Sequence, residues 1–214
     1  MAQGGAETSS HLVQAASPTG IQKKFPETVM QVVTQRDPQD RRPVIIMTQD
    51  EGRFGRISDP RPCWAPKGIR PVAPRQIVRQ YLYVYAAVCP ELGMMTCLVL
   101  PYANTEMMNI FLDEVSQDFK DYFVVMLVDQ AAWHQSKDLR VPENIRLIPQ
   151  PAHSPELNPA EHVWEELREK ALPNMAFASL DELETALCQE LVKLGNDPER
   201  LRSLTDFPYL RVHC

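Results

Sequence analysis

The sequence lacks three features that would place it among membrane or secreted proteins. It has no apolar run of the roughly 18 residues that a membrane-spanning helix needs, and its N-terminus shows no basic start followed by an apolar stretch, so no secretory signal is expected. The five cysteines are odd in number and none stand two residues apart, which argues against a disulfide framework and a zinc ribbon. A cytoplasmic protein with free thiols is expected.

A surplus of positive charge, which a nucleic-acid-binding surface usually needs, is also missing. The formal net charge is −6, yet the charges are unevenly distributed. Residues 53–79 contain seven basic residues and one acid, whereas residues 161–199 contain ten acids and three basic residues. A local phosphate-binding surface and an ordinary solvated loop are both compatible with the basic stretch.

Hydrophobic periodicity predicts one α/β domain. Two apolar runs, residues 44–48 and 123–128, have no polar alternation and predict strands buried on both faces. Residues 76–100 predict a hairpin, and the helical period of residues 104–119 predicts a helix. Residues 53–74 are rich in glycine and proline and predict a loop. Strands of a hairpin followed by alternating strands and helices favour a mixed sheet covered by helices.

Three acids stand where this topology can bring them together. Asp50 and Asp129 follow the two apolar runs, and Glu161 lies in the first turn of a helix that Asn158 caps. Ligands of open α/β sheets bind beyond the carboxyl ends of the strands. Converging carboxylates repel one another unless a cation lies between them, and oxygen ligands favour Mg²⁺ or Mn²⁺. Two such ions can promote phosphodiester cleavage.

Each acid also has a structural explanation. Asp50 precedes Gly52 and fits a turn, and Glu161 fits a capping box. Asp129 is harder to explain in this way, because strands avoid aspartate. From the pattern alone, the prediction is an α/β domain with an acidic cleft that can bind metal.

A family resemblance rests on four strings of residues. Residues 49–56 read Gln-Asp-Glu-Gly-Arg-Phe-Gly-Arg, and residues 128–134 read Val-Asp-Gln-Ala-Ala-Trp-His. The most specific string, residues 154–164, reads Ser-Pro-Glu-Leu-Asn-Pro-Ala-Glu-His-Val-Trp. With Trp-Ala-Pro-Lys-Gly at residues 64–68, they resemble the DDE endonuclease domain of bacterial insertion-sequence transposases in the mariner-like superfamily, which is similar to retroviral integrases.

The resemblance implies an RNase H-like fold, with a mixed five-stranded sheet flanked by helices. It implies that Asp50, Asp129 and Glu161 are catalytic and hold two Mg²⁺ or Mn²⁺ ions. Such an enzyme cleaves DNA at transposon ends, and the freed 3′-hydroxyl then attacks target DNA, commonly at a TA step. Asn158 and His134 are expected to support the acids or to contact phosphate, although His134 equally fits a packing role.

Local composition, the basic run beside Asp50 and this resemblance together set the expected domains and partners. Residues 1–22 are predicted to be disordered, residues 23–42 to form a helix and linker, and residues 43–214 to form the catalytic domain. The helix-turn-helix region that usually binds transposon ends is not expected here, so a separately encoded helix-turn-helix half is a candidate partner. DNA, a second copy in a homodimer and a nucleoid-associated place in a bacterial cytoplasm are also expected. The predicted DNA contacts are Arg53, Arg56, Lys67 and Arg70.

Three functional hypotheses stay open on the sequence. The first is an active strand-transferring DDE domain, and the second is an inactive or truncated remnant that acts only as a DNA-binding or protein-interaction module. The third is a nuclease of the same fold without joining activity.

Glu51 and Glu165 are the other acids near the triad, and Asp50 is preferred to Glu51 because it matches the family's first acid. Trp164 is predicted to be a core residue, since it shares a helix face with Leu167.

Overall fold

The computed structural model describes residues 18–58, 60–151 and 157–212, with side chains from residue 24 onward. The strands are β1 (Val44–Ile57), β2 (Ile77–Cys89), β3 (Met94–Leu100), β4 (Phe123–Val128) and β5 (Ile145–Pro149). They form one five-stranded sheet in the order β3-β2-β1-β4-β5. β1 pairs antiparallel with β2 and parallel with β4, so the sheet is mixed, as the sequence predicted.

Helices cover both faces of this sheet. Within the described residues they are α1 (Pro18–Thr34), α2 (Thr105–Asp118), α3 (Ala160–Glu166), α4 (Leu180–Gly195) and α5 (Pro198–Thr205). A 3₁₀ segment, Ala132–Gln135, follows β4, and a π-helical segment, Leu167–Ala171, continues α3. None of the described helices is long and apolar enough to cross a membrane.

The first helix differs from its predicted bounds. α1 already begins at Pro18, inside the segment 1–22 for which disorder was predicted. The rest of that prediction, residues 1–17, lies outside the described residues. Phe25 and Val29 of α1 are buried and pack with Val125 and Ile148 of the sheet. Burial of this apolar face stabilises the helix against the sheet.

The first strand is longer than its apolar run. The sequence predicted that the strand ends before Asp50 and that a loop begins at Arg53, but β1 continues to Ile57. Its parallel pairing with β4 ends at Thr48, whereas its antiparallel pairing with β2 runs from Thr48 to Ile57. Because β2 satisfies the backbone groups of this second half, the strand persists through a polar segment.

Two apolar layers hold the sheet between its helices. On one face, Met47 and Met126 pack with Phe111 of α2. On the other face, Phe54 packs with Trp164 of α3 and Leu187 of α4. Each of these large side chains is nearly or fully buried, and burial of one such side chain contributes about 1.5–3 kcal/mol. Trp164 is thus a core residue, as predicted.

Gly52 of β1 lets Trp164 approach the strand closely. A Cβ atom at this position would lie 2.8 Å from Phe54 Cε2 and 2.8 Å from Trp164 Cδ2. Both rings are buried in the core and cannot swing away, so a larger residue requires the strand or α3 to shift.

We predict that Gly52→Ala lowers the free energy of unfolding by about 1–3 kcal/mol, the usual cost of an overpacked core. Chemical denaturation followed by circular dichroism measures the change. Gly195→Ala is the matched control, because its Cβ would meet only Met95 Cε at 3.6 Å. An equal effect of the two substitutions would contradict the packing role of Gly52.

Candidate active site

The two aspartates of the predicted triad lie at one edge of the sheet. The last pair of the parallel β1–β4 register is Thr48 with Leu127. Asp50 and Asp129 each stand two residues beyond that pair. Strands that run parallel end at the same edge, so both aspartates reach the crevice beyond β4.

Asn158 anchors the start of α3 against β1. Its Nδ2 donates a hydrogen bond to the carbonyl oxygen of Gln49 at 3.0 Å, and its Oδ1 accepts one from the N–H of Ala160 at 3.1 Å. Asn158 is buried, so both hydrogen bonds are shielded from water. Glu161, in the first turn of α3, is thereby held beside Asp50. The Ser-Pro-Glu part of the motif lies outside the described residues.

Asp50 is a desolvated carboxylate among other acids. Trp164 Nε1 donates a hydrogen bond to Asp50 Oδ2 at 2.7 Å. Burial first, and then the charges of Glu161 and Glu51, raise the pKa of Asp50, and the Trp164 hydrogen bond lowers it; together they bring the pKa to about 7. A carboxylate in such surroundings is stabilised in its ionised form when a cation binds.

Asp129 is fixed by groups that follow it in the chain. Its Oδ1 accepts a hydrogen bond from the N–H of Ala131 at 2.9 Å and lies 2.7 Å from His134 Nδ1. The other ring nitrogen, His134 Nε2, lies 3.0 Å from Glu51 Oε1. Burial alone lowers the pKa of His134, but the hydrogen bonds to Asp129 and Glu51 outweigh burial and raise it to about 10. The hydrogen bond from His134 lowers the pKa of Asp129.

The cluster of possible metal ligands differs from the predicted triad by its members. Among the described residues, Glu51, Asp129 and His134 have ligand atoms within 4.8 Å of one another. Asp50 and Glu161 do not belong to that cluster. Asp50 precedes Glu51 on β1, and the charges of Glu161 and Glu51 both raise its pKa, so these two acids lie next to the cluster. Metal binding by the triad stays a prediction.

The predicted DNA contacts fall into two kinds. Lys67 and Arg70 are exposed in the segment between β1 and β2, and Arg53 is exposed with its guanidinium 4.8 Å from the ring centre of Tyr81. Arg56 is different, because its guanidinium donates to the carbonyl oxygens of Phe177 and Ala178 and to the side chain of Gln80. Those contacts give Arg56 a structural role in joining β1 to the segment before α4.

A cavity of about 360 Å³ opens beside the second half of β1. Arg53, Arg168 and Tyr81 line it together with apolar residues. Arg168 stands 5.0 Å from the ring centre of Phe54, on the helix that carries Glu161. The cavity therefore adds a basic residue, Arg168, to the side of the sheet on which the acids lie.

Sequence reasoning did not foresee that two tryptophan indoles donate hydrogen bonds to the acids at this site. Trp164 was treated only as a core residue, and the hydrogen bond from its indole N–H to Asp50 was not foreseen. Trp133 Nε1 likewise donates to Glu51 Oε1 at 3.2 Å. The available signal was that a tryptophan follows shortly after the second and third acids of the motifs, at Trp133 and Trp164.

Comparison with known proteins gives the family. A family model described as DDE superfamily endonuclease matches residues 22–184, which is most of the chain. The chain therefore belongs to the DDE superfamily endonuclease family. A curated relative, "Uncharacterized protein y4pE/y4sA" of Sinorhizobium fredii (strain NBRC 101917 / NGR234), is 40% identical over 125 residues, which are 58% of this chain and 93% of that protein.

Solved structures of Mos1 transposase have a similar fold. The Mos1 paired-end complex with the left transposon end matches with a TM-score of 0.54 and 15% identity, over 99% of this chain and 68% of that chain. The Mos1 mariner paired-end complex with Mn matches with a TM-score of 0.57 and 16% identity, over 96% and 65%. The chain thus spans about two thirds of the Mos1 chains. The RNase H-like fold that the sequence predicted is confirmed.

We predict that Asp50→Asn stabilises the metal-free protein at neutral pH. Because the folded state raises the pKa of Asp50 from 3.8 to about 7, wild-type stability falls as the pH rises between these values. At pH 8 without divalent ions, the variant should exceed the wild type by about 1–4 kcal/mol, and the gap should close near pH 4.

Urea unfolding in a chelating buffer at several pH values measures this gap. Asp121→Asn, at an exposed position just before β4, is the matched control and should show no such dependence on pH. A constant gap between Asp50→Asn and the wild type across the pH range would refute the desolvation of Asp50.

Proposed function

We propose that this chain is the catalytic domain of a transposase, with Asp50, Asp129 and Glu161 as its catalytic acids. It cleaves DNA at transposon ends and joins the freed 3′-hydroxyl to target DNA, with TA as the target step. The observation that carries the proposal is the position of Asp50 and Asp129 two residues beyond the last β1–β4 pair, with Glu161 close enough to raise the pKa of Asp50. Membership of the DDE superfamily endonuclease family supports it.

Divalent ions fit the chemistry of these side chains. The triad offers only carboxylate oxygens, which suit Mg²⁺ and Mn²⁺. Burial and neighbouring acids make the ionised form of Asp50 unfavourable without a counter-charge. We infer that Asp50, Asp129 and Glu161 hold two ions, which when bound activate the attacking oxygen and stabilise the leaving oxygen. Two solved structures of similar fold are Mos1 paired-end complexes with Mn and with Mg, which agrees with this inference.

The protein residues around the acids set their orientation. Trp164 donates to Asp50 Oδ2, and this contact leaves the remaining oxygen of Asp50 for a ligand. Asn158 holds the N-terminal turn of α3 to β1, which fixes the position of Glu161. Such supporting hydrogen bonds keep reacting groups within the narrow tolerance that catalysis needs.

The DNA backbone is proposed to lie along the exposed basic segment. Lys67, Arg70 and Arg53 project from the stretch that follows the acidic edge, and Arg168 extends this surface. A local positive surface attracts phosphates even when the net charge of the chain is negative. Arg56 is left out of this set, because its guanidinium hydrogen bonds are made within the protein.

The wider assembly is also a proposal. The Mos1 structures that this chain resembles are complexes with transposon ends, and this chain spans about two thirds of those chains. We infer that it acts as a homodimer on paired DNA ends. A helix-turn-helix segment, on a longer form of the chain or encoded separately, would supply end recognition.

We predict that Asp129→Asn and Glu161→Gln each reduce metal-dependent DNA nicking by at least about 1,000-fold, because loss of one member of a catalytic set removes most of its effect. Nicking of a supercoiled plasmid that carries a transposon end, with Mg²⁺ or Mn²⁺, measures the rate. Glu165→Gln is the control, because Glu165 lies on α3 but is exposed.

Three outcomes would contradict the proposal in whole or in part. If Asp129→Asn still nicks DNA, the assignment of the catalytic triad is wrong. If the wild-type protein binds DNA but never nicks it, the hypothesis of a non-catalytic remnant is favoured. Cleavage without joined 3′-hydroxyl products would support a nuclease that lacks strand transfer.

We predict that the double variant Lys67→Ala/Arg70→Ala lowers the slope of log affinity against log salt by about 2, because each phosphate contact contributes about 0.9. Fluorescence anisotropy with duplex DNA at several salt concentrations measures the slope. Arg56→Ala, which removes the same type of charge from β1, should leave the slope unchanged and reduce stability instead. An unaltered slope in the double variant would exclude this segment from the DNA surface.

A further inference from the structure

Glu51 is a buried acid for which the proposed chemistry has no use. It follows Asp50 on β1, and because side chains alternate along a strand, the two carboxylates project to opposite faces of the sheet. Asp50 meets Trp164, whereas Glu51 meets Trp133 and His134. The side chain of Glu51 is only 5% exposed. A buried carboxylate is retained only with hydrogen-bonding or charged partners, so these contacts require an explanation.

Both partners of Glu51 come from the segment that follows Asp129. Glu51 Oε1 accepts a hydrogen bond from Trp133 Nε1 at 3.2 Å and lies 3.0 Å from His134 Nε2. Both belong to the 3₁₀ segment Ala132–Gln135, which packs against α2. Glu51 therefore links the 3₁₀ segment to β1 beyond the end of β4.

The other side of His134 determines the orientation of Asp129. His134 Nδ1 lies 2.7 Å from Asp129 Oδ1 and 3.2 Å from the backbone carbonyl oxygen of Asp129, and the N–H of Ala131 donates to Oδ1 at 2.9 Å. Within the described part of the chain, Asp129 Oδ2 accepts no hydrogen bond, and the side chain of Asp129 is 48% exposed. One oxygen of Asp129 is thus held by the protein, and the other is presented to the crevice.

We propose that Glu51 is a positioning residue that acts through His134 to fix the carboxylate of Asp129, so that Oδ2 faces the bound divalent ion. The inference rests on the proposed function, in which Asp129 is a metal ligand. The carboxylate of Glu51, the imidazole of His134 and the carboxylate of Asp129 contact one another in series. Each group is held in one orientation, because both ring nitrogens of His134 are engaged. The hydrogen bond from Trp133 Nε1 holds the carboxylate of Glu51 at the other end of this series.

A direct ligand role for Glu51 is the competing explanation. The ligand atoms of Glu51, Asp129 and His134 lie within 4.8 Å of one another, as a metal site would require. However, both ring nitrogens of His134 already face carboxylate oxygens, and its side chain is 1% exposed. An ion among these three groups would have to displace hydrogen bonds in a closed space, whereas Asp129 Oδ2 is open.

The test measures Mn²⁺ binding to the whole chain by electron paramagnetic resonance, without DNA, alongside nicking kinetics. Glu51→Ala should weaken Mn²⁺ affinity and lower kcat by about 10–100-fold, the usual effect of removing an outer partner of a ligand, while the KM for DNA stays unchanged. Glu51→Gln should recover most of the loss, because its amide oxygen still accepts from His134. Glu165→Ala, at an exposed acid on α3, should match the wild type.

A second comparison isolates the route through His134. In a His134→Asn background, Glu51→Ala should change Mn²⁺ affinity by less than about twofold, because residues that act in series show non-additive effects. If Glu51→Ala does not fold, Glu51→Asp replaces it. That variant keeps the charge but is too short to reach His134 Nε2, and the same weakening is expected.

The outcomes separate this inference from the proposed function. If Asp129→Asn leaves Mn²⁺ affinity unchanged, the assignment of Asp129 as a ligand fails. If Asp129→Asn weakens binding but Glu51→Ala behaves like Glu165→Ala, the positioning role fails. Loss of one bound Mn²⁺ per chain in both Glu51→Ala and Glu51→Gln would make Glu51 a direct ligand and would also overturn the proposal.

Discussion

The parallel pairing of β1 with β4 is the constraint from which the candidate site follows. It stops at Thr48 and Leu127, and beyond that pair β2 is the one described strand that pairs with β1. The end of β4 opens a crevice next to a strand that continues, so acids on both strands border the same space. Ligand sites of α/β sheets commonly form where neighbouring strands end. In this chain the crevice exists because β2 keeps the polar half of β1 extended.

Negative charge near that crevice is stabilised by neutral and positive donors. The indole of Trp164 contacts Asp50, and the indole of Trp133 contacts Glu51. The imidazole of His134 lies between Glu51 and Asp129. These donors hold individual oxygens in place without neutralising the whole cluster. The raised pKa of Asp50 shows that its ionised carboxylate is unfavourable in the folded protein. The folded protein therefore loses stability at a site that is suited to bind a cation.

Much of the fold was accessible from local patterns, because each pattern had one dominant physical cause. The two apolar runs became central strands, and the capping residue Asn104 accepts a hydrogen bond from the N–H of Met107 at the start of α2. The length of β1 was not accessible, since it depends on pairing with a strand that begins twenty residues after β1 ends. The packing of α1 on the sheet also depends on apolar partners that are distant in the sequence.

The sequence alone determined the family motifs, the acids Asp50, Asp129 and Glu161, and a mixed sheet covered by helices, because these follow from residue identity and periodicity. Only the tertiary structure decided which side chains meet. In the folded structure Arg56 donates a hydrogen bond to the backbone of Phe177, and Glu51 contacts His134. The tertiary structure also placed the indole of Trp164 on Asp50. These contacts link residues far apart in the chain, and side-chain direction across a sheet is set by register, which no local pattern encodes.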